Sequence, residues 1–71
     1  MIKWFVTHGP DPSHLWDSQV FDRLKDAKAY AAQLPPAPIG NSQSYKIERY
    51  DYKESQVYGD IVETRLIEKN Y

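Results

Sequence analysis

Residues 15–34 read LWDSQVFDRLKDAKAYAAQL, and the way this stretch divides decides the architecture. Leu24, Ala27, Ala31 and Leu34 recur at three- and four-residue steps, the spacing of one apolar stripe on an α-helix. Lys25, Asp26, Lys28 and Gln33 form the solvated side of the same helix. Two divisions of the preceding residues are open. Asp17 can cap a long helix that adds Val20 and Phe21 to the stripe, or residues 16–21 can form a short strand with Asp22 capping a shorter helix. The second is preferred, because Asp22 directly precedes the clean part of the stripe and aspartate is a strong N-cap residue.

Working outward, residues 2–8 (IKWFVTH) are dense in β-branched and aromatic types and end at the breaker Gly9-Pro10. They predict a strand with Ile2, Trp4 and Val6 on one face and Phe5 on the other. The segment 9–14 carries two prolines and reads as a stiff connection. Pro35-Pro36-Ala37-Pro38 stops the helix. Residues 44–52 (SYKIERYDY) alternate as a strand, with Tyr45 and Ile47 on one face and Lys46, Glu48, Tyr50 and Tyr52 on the other. Residues 53–56 predict a turn, and residues 57–68 a second long strand with a bulge at Gly59-Asp60. The expected fold class is α+β: one helix packed on an antiparallel sheet of three to four strands, in one domain covering residues 1–71.

Seventy-one residues without cysteine bury only a small core, and disulfides and cysteine-ligated zinc are excluded. Such a chain gains much from a partner, so a homodimer is a reasonable expectation. Freedom from cysteine suits a cytoplasmic location. The apolar run 4–6 is too short for a signal peptide or a membrane span, and Met1 leading straight into a strand is expected of a complete product. Nine basic and ten acidic residues are interspersed, for a net charge of −1, which is not the basic excess of a nucleic-acid binder.

Three constellations bear on chemistry. His8, Asp11 and His14 lie in one short segment and are acceptable metal ligands, although their spacing fits no established metal motif and the bland reading is a stiff loop. Ser13, His14 and Asp11 have the residue types of a nucleophilic site but not its usual separation in sequence. No phosphate-cradling glycine cluster precedes the helix. No enzyme activity, metal or cofactor is therefore expected.

The distinctive feature is aromatic content, with six tyrosines and two tryptophans. One helix covers one face of a sheet, so rings on the other face are left to meet water or another molecule. Trp4, Phe21 and Tyr30 are read as core. Tyr50, Tyr52 and Tyr58, with Arg49 and Arg65, are read as a protein-binding surface, since tyrosine and arginine dominate such contacts. Aromatics interleaved with cations also suit a nucleotide-like ligand held between subunits, and this is the alternative function.

Residues 20–31 (VFDRLKDAKAYA) followed by 45–52 (YKIERYDY) resemble many short bacterial and bacteriophage reading frames in which a capped helix precedes a tyrosine-rich hairpin. That class includes anti-CRISPR and other anti-defence proteins. The resemblance implies a small inhibitor acting by protein–protein contact on a host defence or regulatory protein, and it supplies no catalytic residues.

Overall fold

Five elements follow one another in a computed structural model that describes residues 1–36, 39–53 and 60–71. They are β1 (Ile2–Gly9), β2 (Asp17–Phe21), α1 (Leu24–Ala32), β3 (Ser44–Tyr52) and β4 (Ile61–Lys69). The strands form one sheet in the order β2-β1-β3-β4, with every neighbouring pair antiparallel. The short strand before the helix is thus real, and the fold is the four-stranded form of the α+β arrangement.

Register follows from the alternation. Trp4 stands opposite Phe21 and Arg49, Val6 opposite Gln19 and Ile47, and His8 opposite Asp17 and Tyr45. Directly opposed residues share a face. This places Trp4, Val6, His8, Phe21, Tyr45 and Ile47 under the helix. Val6, Ala27 and Ile47 have no exposed surface, and Ala31 completes the buried cluster. Trp4, Phe21, Leu24, Tyr30, Leu34 and Ile67 pack around it. Small alanines on the helix let its backbone approach the sheet closely.

The connection from β2 to β3 carries α1 across β1, so the helix packs on β1, β2 and β3. Among the described residues, no Cα of α1 comes within 8 Å of a Cα of β4. A nine-residue helix is too small to roof four strands.

The helix start corrects the capping expectation. Its N-cap is Arg23, with no side-chain capping bond, and the Asp22 carboxylate instead pairs with Lys3 on β1. A cation on the adjoining strand takes the carboxylate that would otherwise have bonded the helix amides. Strand β4 also begins later than residue 57 among the described residues; the predicted turn beyond Lys53, together with Val57, Tyr58 and Gly59, lies outside them. Register shifts fall between Ile47 and Glu48 and between Asp51 and Tyr52, opposite Ile67 and Val62 of β4.

The last residues are fastened to the sheet. The Tyr45 hydroxyl donates to Glu68 (2.6 Å), whose other oxygen lies 3.8 Å from Lys28 of the helix. Asn70 accepts from the Tyr45 amide at 2.8 Å and donates its side-chain amide to the Gln43 carbonyl at 2.9 Å. The bond to Glu68, with burial, pushes the Tyr45 phenol above its ordinary value of 10.0. Burial and the nearby Asp17 push Tyr30 in the same direction. A phenol whose folded pKa is raised contributes stability that is fully present below its unfolded value and is lost as pH rises through the folded one. Unfolding free energy is therefore expected to fall above about pH 10, in step with tyrosinate absorbance. Tyr45→Phe is expected to flatten that decline, and an unchanged alkaline limb would exclude this source.

Candidate functional site: the sheet face and edge around β4

The face away from the helix takes Lys3, Phe5 and Thr7 from β1, Ser18 and Val20 from β2, and Lys46, Glu48, Tyr50 and Tyr52 from β3. Thr64 and Leu66 of β4 stand opposite Tyr50 and Glu48 on this face; Val62, two residues before Thr64, lies at the register shift, beyond which Ile61 stands opposite Tyr52. The Tyr50 ring lies 4.8 Å from Phe5 and stacks at 6.0 Å and 28° on Tyr52. Val62 and Leu66 are 66% and 50% exposed. The result is an aromatic row along β3 beside an exposed apolar row along β4. Lys46 and Glu48, 3.5 Å apart, close one end of it.

The residues read from sequence as a binding surface do not form one cluster. Tyr50 is half-buried on the far face. Tyr52 shares that face but is only 4% exposed, which corrects the expectation that its ring is offered outward. It supports Tyr50 from beside it. Arg49 and Arg65 stand directly opposite each other on the helix side of the sheet, beyond the helix, and both approach Glu63, at 3.6 and 3.0 Å. Tyr58 lies outside the described residues. The two groups thus sit back to back on the β3–β4 ribbon, and β4 carries exposed side chains on both of its faces.

The candidate ligand set His8, Asp11 and His14 is also divided. His8 belongs to β1 and is fully buried under the helix. Its Nδ1 lies 2.6 Å from the Ser42 hydroxyl, its Nε2 lies 3.1 Å from the Tyr30 hydroxyl, and Asp17 is 3.8 Å away. His14 is exposed, bonded at 2.7 Å to Asp11 and set edge-on to Trp16 at 4.7 Å. That hydrogen bond holds the Asp11 carboxyl below its ordinary value. The two imidazoles therefore serve separate sites.

Sequence reading missed the His8 network, because Ser42, Tyr30 and Asp17 are remote in the chain and only the fold joins them. A serine hydroxyl against an imidazole is the start of a nucleophile–base pair. Here both ring nitrogens are engaged and the ring has no exposed surface, so no leaving group can reach it. The network braces β1 against the helix and the α1–β3 connection. The Trp4 indole Nε1 is buried without a hydrogen-bond partner among the described residues, a cost offset by the ring's packing on the core.

No family model, curated protein or solved structure matches this chain.

Proposed function

We propose that this chain is a non-enzymatic binding protein that acts by contact with another protein, using the face of Phe5, Tyr50, Val62 and Leu66. The observation that carries the reading is that apolar and aromatic side chains on the face away from the helix continue onto β4, where Val62 and Leu66 stand exposed. Aromatic rings held by neighbours lose little freedom on binding, which suits Tyr50 as an anchor with β4 as its apolar surround. The flanking Lys46 and Glu48 supply a polar rim of both signs. The size of the chain and its likeness in style to short phage reading frames support an accessory role in a phage or mobile element. On this reading it acts in the bacterial cytoplasm by occluding a host defence or regulatory protein, and it self-associates.

The test is capture from host lysate with the intact chain as bait, compared with Tyr50→Ala and Leu66→Asp. Loss of one specific partner with both variants, at unchanged thermal stability, is the expected result. Equal capture by all three baits would remove the proposal.

A further inference from the structure

Strand β4 is an edge: among the described residues only β3 borders it, so alternate residues aim their backbone N–H and C=O groups away from the sheet. An exposed edge of nine residues is a template for another strand. Natural edges are commonly guarded by bulges and charges. The two register shifts on β4 leave a regular centre, Glu63–Leu66, opposite Asp51–Glu48. The charges in that centre are Glu63 and Arg65, of opposite sign, two residues apart and on one face.

We infer that two copies of this chain join by antiparallel pairing of β4 with β4, with Thr64 opposite Thr64. This deepens the reading of the β3–β4 ribbon as a contact surface by naming what occupies its edge. A symmetric antiparallel pair requires one residue to stand opposite its own copy, so the possible registers are few. Centring on Glu63 or on Arg65 sets like charges directly against each other, which is destabilising. Centring on Thr64 sets Glu63 against Arg65 of the second copy, and Arg65 against its Glu63. The same register sets Val62 against Leu66 of the second copy, twice, on the other face. Charge therefore meets opposite charge over the regular part of the strand, and in the same register Leu66 meets Val62 at its margin, where the register shift falls. Glu63 and Arg65 are 48% and 64% exposed, so each can turn to a neighbour on the open side. The two-fold axis runs perpendicular to the sheet. Both helices then lie on one side of an eight-stranded sheet, and the two tyrosine faces lie together on the other.

The pairing is tested by charge exchange. Glu63→Arg and Arg65→Glu each place four like charges at the junction when self-paired, whereas a mixture of the two restores both opposite pairs. Wild-type protein is expected to give twice the 8.3 kDa chain mass in light scattering at high concentration. Each variant alone is expected to dimerise about tenfold more weakly or worse, and the mixture to recover. Register is read separately. The chain has no cysteine, so Thr64→Cys provides a single thiol opposite its copy, and oxidation is expected to cross-link it far faster than Ser18→Cys on the other edge. Monomer mass for the wild type at every concentration, no recovery on mixing, or equal cross-linking at the two edges would each overturn the inference. Partner capture that depends on Tyr50 is read independently of these masses, so loss of the dimer and loss of the proposed function are distinguishable.

Discussion

Gly9→Ala is expected to abolish cooperative folding, or to lower stability by about 3 kcal/mol or more, the scale of the severest single substitutions. A Cβ built on Gly9 would lie 1.6 Å from the His14 carbonyl oxygen and 2.7 Å from its carbonyl carbon. Backbone cannot step aside as a flexible side-chain tip does, so the β1–β2 connection must move bodily. That movement also strains the end of β1, where the Gly9 carbonyl accepts from the Gln43 amide at 2.9 Å and Gly9 stands opposite Ser44. Gly40, at φ +85°, is the useful contrast. Alanine there meets ordinary contacts from Pro10 at 3.5 Å and loses only the left-handed preference, about 1 kcal/mol. Thermal unfolding followed by circular dichroism separates them. A Gly9→Ala protein melting close to wild type would show that the connection is free to shift.

Ile47→Ala is expected to cost about 3 kcal/mol, because the side chain is fully buried in a four-residue cluster that cannot collapse without moving the helix. In a domain of this size that corresponds to a fall of about 15 °C in Tm. Leu66→Ala removes the same number of carbons from a half-exposed position and is expected to shift stability by about 0.5 kcal/mol or less. Denaturant melts of the two variants measure the contrast. Equal losses would mean that β4, and not the layer beneath the helix, holds the protein together.

The alternation of SYKIERYDY was enough to place β3 and assign both its faces, since a period of two leaves no other arrangement for Ile47 and Tyr50. The stripe Leu24, Ala27, Ala31 was equally readable. The role of Asp22 was not, because its choice between helix amides and Lys3 depends on strand pairing that brings Lys3 near. Depth of burial was not readable either: alternation puts Tyr52 on the far face but does not tell that the ring is 4% exposed. The grouping of Arg49 with Tyr50 could have been rejected from sequence, as adjacent strand residues point to opposite sides. His8 shows a further limit. Its position beside Gly9-Pro10 suggested a loop ligand, and only the return of the chain at Tyr30 and Ser42 makes it a buried brace.

The strand order has a consequence for biogenesis. The earliest made of the four strands, β1, is the one that ends between β2 and β3, and its longer seam is with residues 44–51. The hairpin to β2 can close early, but it makes a bare two-stranded ribbon, which is marginal in water. The isoleucine that completes the interior, Ile47, arrives only with β3. Synthesis must therefore have passed β3 before the nascent chain gains lasting structure, and consolidation comes late relative to the first hairpin.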